Sequence, residues 1–155
     1  MAFYQFQREQ YLSASLSEAW AFISDPKNLQ RITPPEMGFL VRTPELPEQM
    51  YAGMLIAYTV RPLLGIPTTW VTEITHVVPQ HYFVDEQRVG PYTLWHHQHR
   101  IEPSGKGVLM TDIVSYQPPL GVLGRLANAL VIRKKLEDIF AFRKQALEKI
   151  FVPGS

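Results

Sequence analysis

The hydrophobic period of the chain changes once, at Pro118-Pro119, and this change constrains the fold more than any other feature. Before it, short apolar runs are separated by turn-forming residues, which predicts the strands of an antiparallel meander. After it, apolar residues recur every three or four positions, which predicts one long amphipathic helix to about Phe151, ended by Pro153-Gly154. Its apolar stripe consists of Ile132, Leu136, Ile139, Phe140, Leu147 and Ile150.

Seven strands and two short helices are expected before that long helix. Ser15-Leu16-Ser17-Glu18 has the form of a capping box and predicts a helix over Leu16–Ser24, and Pro26 is placed to open a second one to about Arg31. A sheet that curls around the long helix buries the apolar faces of both, so the predicted class is α+β, in a single domain of residues 1–155. The predicted strands are Phe3–Leu12, Gly38–Thr43, Met54–Arg61, Thr68–Val78, His81–Arg88, Tyr92–Glu102 and Val108–Gln117.

Composition excludes several classes of function. The 15 basic and 14 acidic residues are spread along the chain without a block of like charge, so nucleic acid is not an expected partner. The absence of Cys excludes disulfides, thiolate metal sites and thiol nucleophiles. No signal sequence and no apolar stretch of about 20 residues is found, so the expected location is cytoplasmic. No phosphate loop or dinucleotide fingerprint is present, and no cofactor is expected.

Polar side chains align on one predicted hairpin. Because side chains alternate along a strand, Asp85 and Gln87 share one face, as do Trp95, His97 and His99. An unpaired buried donor costs about 1–3 kcal/mol, so an inward face of this kind predicts either paired polar groups or a ligand. The hairpin therefore predicts one polar wall of an internal pocket.

A second predicted hairpin supplies an acid for this wall. With Ile101 opposite Val108, His97 falls opposite Asp112. The carboxylate would hold one imidazole nitrogen protonated and leave the other free as a base, or the pair would be a buried structural contact. The spacing of His97 and His99 also permits two ligands for one metal, but the signal is weak and no metal site is predicted.

Asp85 is predicted to lie beside Trp95, where an apolar setting would raise the pKa of its carboxyl and make it a candidate acid. The alternative is that Asp85 is the partner of a buried cation. Arg143 lies on the stripe of the long helix where an apolar residue is expected, and it can either reach the surface or pair with an inward acid.

Three connectors are unusually apolar and are expected at one end of the meander: Pro62–Pro67, Val89–Pro91 and Pro118–Leu123. They predict either the mouth of an apolar cavity, with transient membrane or partner contact, or three tips that pack together and close that end. Small residues within Leu126–Leu130 would leave cavity volume under the sheet, with Leu130 at its border.

Four motifs carry a resemblance to a known superfamily: Ser24-Asp25-Pro26-x-x-Leu29, Trp70-x-x-Glu73-Ile74, Gly90-Pro91-Tyr92-x-x-Trp95-x-His97-x-His99 and Asp112-x-Val114-x-Tyr116. Together with the element order, they resemble the START-like or SRPBCC superfamily. Within it, the chain is similar to small bacterial proteins of the polyketide cyclase/dehydrase type, some of which are labelled cell-division inhibitors. The resemblance implies the helix-grip fold of START and Bet v 1 proteins, in which a seven-stranded sheet wraps a C-terminal helix around a ligand cavity.

The expected function is binding of a small hydrophobic or amphipathic ligand, lipid-like or polyketide-like, between the sheet and the long helix. One alternative is a cofactor-free cyclase or dehydratase with His97 and Asp112 as its acid–base pair, and another is a protein-interaction module that uses the apolar connectors. The residues expected to contact a ligand are Trp70, Asp85, Gln87, Trp95, His97, His99, Asp112, Tyr116, Leu130 and Arg143.

Overall fold

A seven-stranded antiparallel sheet forms one side of the protein. The computed structural model describes residues 3–62 and 65–152. Leu63 and Leu64 of the apolar connectors, and the predicted helix end at Pro153-Gly154, lie outside the described residues. The strands are β1 (Tyr4–Leu12), β2 (Leu40–Val41), β3 (Met54–Val60), β4 (Thr68–Val78), β5 (Tyr82–Val89), β6 (Leu94–Ser104) and β7 (Gly107–Gln117). Their order in the sheet is β1-β7-β6-β5-β4-β3-β2.

Short helices connect β1 to β2. The capping box is confirmed: in α1 (Leu16–Ile23), the Glu18 amide donates to the Ser15 hydroxyl and the Ser15 amide donates to the Glu18 carboxylate. Pro26–Ile32 and Pro35–Met37 then form 3₁₀ helices, the first one capped by the Asp25 carboxylate.

The C-terminal helix is continuous but irregular. It consists of α2 (Gly121–Ala127), a π-helical segment (Asn128–Ile132) and α3 (Arg133–Ile150). The predicted connector over Pro118–Leu123 is therefore wrong at its end, because the helix already begins at Gly121. The buried stripe of α3 agrees with the predicted helical period.

This helix packs on the inner face of the sheet at two places. Near its end, Leu147 lies in a cluster with Leu12, Val108 and Met110. Further towards its start, Leu136 and Phe140 pack against the inner face of β1 and β7. A third cluster covers the inner face of β3 and β4, and the space between these clusters is the cavity described below.

The register of the β6–β7 hairpin differs from the predicted one by two residues. Pro103 lies opposite Val108, Ile101 opposite Met110 and His99 opposite Asp112. The predicted strand ends before Pro103, whereas β6 continues through it. Pairing of β6 with β5 stops at Arg100, so the N–H that Pro103 lacks is not needed for a bond to β5.

None of the described helices combines the length and the apolarity that crossing a membrane requires.

Candidate functional site

A cavity of about 160 Å³ lies between the inner face of the sheet and α3. The aromatic residues in its walls include Trp70, Tyr92, Trp95 and Phe140. The indoles of Trp70 and Trp95 meet edge to face with centroids 5.2 Å apart, and the Tyr92 ring lies 5.0 Å from Trp95. An apolar cavity of about 150 Å³ binds benzene, so the space suits one ring with a small substituent.

A polar belt crosses the inner face of the sheet beside these rings. Each member is contributed by a neighbouring element, since inward positions alternate along each strand. Its members are Tyr58 of β3, Thr72 of β4, Asp85 of β5, His97 and His99 of β6, Asp112 of β7 and Arg143 of α3.

The centre of the polar belt is a pair of stacked imidazoles between two carboxylates. The rings of His97 and His99 lie 3.6 Å apart, centroid to centroid. His97 Nε2 is 2.8 Å from Asp112 Oδ1, and His99 Nε2 is 2.5 Å from Asp85 Oδ2. The remaining nitrogens also face acids, because His97 Nδ1 lies 3.7 Å from Asp85 and His99 Nδ1 lies 3.3 Å from Asp112.

Arg143 completes the polar belt from the helix side. Its Nη1 lies 3.5 Å from Asp112 Oδ1, and its guanidinium carbon lies 4.6 Å from the centre of the Phe140 ring. The alternative in which Arg143 pairs with an inward acid is therefore confirmed, and the acid is Asp112. At the other end, the single Thr72 O–H has two acceptors within reach, the Glu86 carbonyl oxygen at 3.1 Å and Asp85 Oδ1 at 3.4 Å.

Burial and pairing shift the pKa values of these groups in opposite directions. Burial raises the pKa of Asp112, but hydrogen bonds from His97 and His99 outweigh burial and hold it well below its usual range. Burial and the neighbouring His99 lower the pKa of His97. Burial also lowers the pKa of His99, yet hydrogen bonds to Asp112 and Asp85 raise it further, so the net shift is upward.

The pKa of the Asp85 carboxyl is lowered, which disfavours its predicted role as an acid. Burial raises its pKa, but the hydrogen bond from His99 and the charges of the cationic neighbours lower it more, so the net shift is downward. The predicted raised pKa is therefore wrong. The prediction considered the apolar indole of Trp95 and did not include the histidine that bonds to Asp85.

Asp85, His97 and His99 bring three potential metal ligands within 4.8 Å of one another. His99 Nε2 already hydrogen bonds to Asp85 Oδ2 and His97 Nε2 to Asp112 Oδ1, and a metal at these atoms would have to replace the shared protons. The Arg143 charge beside Asp112 further disfavours a divalent cation, because like charges in a buried site repel strongly.

The structure brings most of the predicted contact residues together. Trp70, Asp85, Trp95, His97, His99, Asp112 and Arg143 all line the cavity. The predicted inward direction of Trp95, His97 and His99 is confirmed, and His96 pairs with Glu86 on the opposite face. The contact between His97 and Asp112 is also present, but it is diagonal across the strands and depends on His97 reaching past the residue opposite it.

Three predicted contact residues do not line the cavity. The Gln87 amide is bound to the main chain of Tyr92, to which it donates at 2.6 Å and from which it accepts at 3.0 Å. Tyr116 lies in the core, and its hydroxyl donates to Asn128 Oδ1 at 2.5 Å. Leu130 is 70% exposed. It lies within the π-helical segment, whose wider turn changes the helical phase before Ile132.

Thr72 and Tyr58 also belong to the polar belt, and neither is among the predicted contact residues. Both could have been found from alternation along their strands. Thr72 lies between the buried residues Trp70 and Ile74, and Tyr58 lies between Ile56 and Val60.

The described apolar connector residues do not pack together to close the barrel end. Ile66 and Leu120 are exposed, and so are apolar residues along α2 and the π-helical segment. We call the apolar set Leu120, Val122, Leu123, Leu126 and Leu130 the exposed leucine face.

Comparison with solved structures identifies the fold. A protein from Thermus thermophilus has a TM-score of 0.71 at 16% identity, over 98% of this chain and 99% of that one. A protein from Chromobacterium violaceum has a TM-score of 0.71 at 15% identity, over 96% and 97%. Ginseng major latex-like protein 151, from Panax ginseng, has a TM-score of 0.67 at 9% identity, over 97% and 99%.

The sequence itself matches no curated protein. Residues 12–140 match the family described as polyketide cyclase / dehydrase and lipid transport. This match covers most of the chain, and the seven-stranded sheet with its long C-terminal helix agrees with the Bet v 1-like and START-like folds of the structural neighbours. The chain therefore belongs to the polyketide cyclase/dehydrase and lipid transport family, within the SRPBCC superfamily.

Proposed function

We propose that this protein binds one small, mainly apolar molecule in the cavity between the sheet and α3. The observation that carries the proposal is a cavity of about 160 Å³ with Trp70, Trp95 and Phe140 in its walls and the polar belt along one side. Small-molecule sites typically combine apolar walls with a few fixed polar groups. Family membership and fold agree with hydrophobic ligand binding.

The volume limits the ligand class. A single aromatic or alicyclic ring with a small substituent fits a space of this size, whereas a long-chain lipid would require the helix to move away from the sheet. We therefore propose a compact ring compound rather than a diacyl lipid as the occupant.

Binding is favoured over acid–base catalysis because His97 Nε2 and His99 Nε2 already hydrogen bond to carboxylates. A general base needs an available ring nitrogen within reach of a substrate proton. Both nitrogens of His97 and both of His99 lie near a carboxylate oxygen, at 2.5 to 3.7 Å. Nδ1 of His97 lies 3.7 Å from Asp85, which is beyond hydrogen-bond distance, so the cyclase or dehydratase alternative depends on this nitrogen.

Cavity filling tests the proposal directly. Ile139 is partly buried on α3 and lines the cavity, so Ile139→Trp should fill it. Leu130→Trp is the matched control on the same helix, since Leu130 is exposed. With α-methylstyrene as the probe, isothermal titration calorimetry should show one saturable site in the parent and in Leu130→Trp. Binding should fall by more than about tenfold in an Ile139→Trp variant that melts cooperatively.

The proposal fails if the parent shows no saturable binding, or if folded Ile139→Trp binds as tightly as the parent. Should filling the cavity unfold the protein, Ile132→Phe offers a smaller change at another lining residue.

The exposed leucine face supports a second candidate function, contact with an anionic membrane surface. Contiguous exposed apolar residues on a helix mark an interaction site. Residues 113–150 contain seven basic and three acidic residues, so the face lies in a positively charged part of the chain. The face also ends next to Ile132, which lines the cavity, so a ligand held in the membrane would meet the protein near its binding site.

Vesicle co-sedimentation tests this second candidate. Phosphatidylcholine vesicles with phosphatidylglycerol should bind more protein than phosphatidylcholine alone, and Leu123→Asp with Leu126→Asp should abolish the difference. Leu55→Asp is the control, because Leu55 is an exposed apolar residue on β3. Equal binding of all variants, or dimerisation that is lost in the double variant, would contradict membrane contact.

A further inference from the structure

Lys135 lies at the edge of the cavity. It lines the cavity from the helix side together with Ile132 and Ile139, which are three residues before it and four residues after it and therefore share its face of the helix. Ile132 is buried, whereas Lys135 is partly exposed, so the lysine side chain borders both the cavity and the solvent. A cation at such an edge is within reach of the outer end of a ligand whose apolar part lies inside.

The positive charge of Lys135 is not used by an acid of the described chain. Lys135 is the last of three successive basic residues, and the other two, Arg133 and Lys134, each pair with an acid four residues later. The corresponding position for Lys135 is Ile139, which is apolar. Among the described residues, no acid forms an ion pair with Lys135. Its ammonium, on a flexible four-carbon stem, can therefore turn to a ligand without losing another ion pair.

The inner part of the cavity disfavours an anion. Asp85 and Asp112 supply two negative charges to the polar belt, and Arg143 is already paired, with its Nη1 3.5 Å from Asp112. A ligand carboxylate beside these acids would meet like charges in a buried site, where repulsion is strong. Lys135 precedes Arg143 by eight residues, which is about 12 Å along the helix axis. An anion at Lys135 therefore lies outside the polar belt.

Asp25 is the other charged residue that lines the cavity outside the polar belt. It is also partly exposed, but its carboxylate accepts a hydrogen bond at 2.9 Å from the Lys27 amide and caps the 3₁₀ helix Pro26–Ile32. It does not form an ion pair with Lys135. A ligand anion at the Lys135 ammonium consequently has no protein carboxylate to displace.

We propose that Lys135 binds a carboxylate at the edge of the cavity, so that the ligand is a compact amphipathic acid with its ring inside and a short acidic side chain directed to the surface. This inference rests on the proposed binding function and names the polar group that the site selects. The ring contacts Trp70, Trp95 and Phe140, and the carboxylate at the edge keeps part of its hydration, which limits the cost of desolvation.

Two probes of the same shape report on the charge: 3-phenylpropionate and 3-phenylpropanamide. They share the ring and the two-carbon chain and differ in the terminal group. Because the carboxylate is better hydrated than the amide, the informative quantity is the ratio of their Kd values in the parent against the same ratio in each variant. Isothermal titration calorimetry at neutral pH and low salt gives both values, since salt screens contacts between exposed charges.

Lys135→Gln removes the charge, and Lys135→Arg keeps it. Lys134→Gln is the matched control, because it removes the same charge from an exposed neighbouring position that does not line the cavity. We expect Lys135→Gln to weaken the carboxylate about fivefold relative to the amide, and Lys135→Arg and Lys134→Gln to keep the ratio of the parent within about twofold. Thermal melting confirms that each variant is folded before affinities are compared.

The outcomes separate this inference from the proposed function. If the amide binds but the Kd ratio is the same in the parent and in Lys135→Gln, the carboxylate contact is wrong and the binding function stands. An equal loss in Lys134→Gln would show that only the overall charge matters and would also contradict the contact. If α-methylstyrene binds and both phenylpropionyl probes do not, the inference alone fails. If none of the probes binds the parent, both proposals fail.

Discussion

The imidazole rings of His97 and His99 stack with their centroids 3.6 Å apart and an angle of 30° between their planes. Each ring reaches both Asp85 and Asp112, so two carboxylates hold two imidazoles from opposite sides. Burial, together with the neighbouring charge of His99, lowers the pKa of His97, whereas hydrogen bonds to Asp112 and Asp85 raise the pKa of His99 despite its burial.

The pH dependence of stability should separate the two histidines. The pKa of His99 is higher in the folded state than in the unfolded state, where it is about 6.5, so the protonated ring stabilises the fold. This stabilisation is complete below about pH 6.5 and is lost as pH rises through the pKa of the folded state. The free energy of unfolding of the parent, measured with denaturant, should therefore fall above about pH 6.5, and His99→Gln should remove that fall.

His97 should change the stability with pH in the opposite direction. Its lowered pKa favours the neutral ring, so its contribution is complete above about pH 6.5 and is lost as pH falls through the native value. Below about pH 6.5 the free energy of unfolding of the parent should therefore fall, and His97→Gln should reduce that fall. The comparison is made above about pH 4, because carboxylates titrate below it. Identical profiles for the parent and both variants would contradict the assignment.

Asp112→Asn should be strongly destabilising. Asp112 accepts from both histidines and lies beside Arg143, and removing one partner of a buried charge cluster costs about 3–5 kcal/mol. Asp138→Asn, which breaks an exposed pair with Lys134, is the control and should leave the free energy of unfolding nearly unchanged, because water screens exposed ion pairs. Similar losses in urea unfolding for both variants would show that the buried cluster is not a principal source of stability.

His97→Gln also separates a binder from an enzyme. If the histidine is structural, the variant should lower the melting temperature, and chromatography of a probe after incubation with the parent should show no conversion. A catalytic His97 would give the reverse result: intact folding and affinity, with the rate of conversion reduced by about 10²–10⁴-fold.

The turn before β6 controls the aromatic wall through Gln87. A Cβ at Gly90 would lie 2.5 Å from Gln87 Oε1, so Gly90→Ala should displace the amide that binds both main-chain groups of Tyr92. We expect a loss of about 1–2 kcal/mol in unfolding free energy. In a Gln87→Ala background the same change should cost much less, and full additivity in this double-mutant cycle would show that Gly90 does not act through the Gln87 amide.

Local patterns in the sequence predicted the architecture and the inward direction of Trp95, His97 and His99, because alternation along a strand depends only on neighbouring residues. The exact pairing of β6 with β7 was not predictable in the same way. Pro103 is a strand breaker in most settings, and only the shorter extent of β5 makes it acceptable here.

The helix side of the site shows the same limit. The stripe from Ile132 to Leu147 follows the regular helical period and was predicted, whereas Leu130 was placed on the wrong side because a π-helical segment leaves no clear sequence signal. Which acid pairs with Arg143 depends on the depth of α3 over the sheet, a tertiary property that the residue pattern does not contain.

A crystal structure of the protein with α-methylstyrene tests ligand binding in the cavity most directly. We expect the phenyl ring between Trp70, Trp95 and Phe140. A cavity that holds only ordered water at saturating α-methylstyrene, or a probe that binds only at the outer surface, would contradict the proposed function.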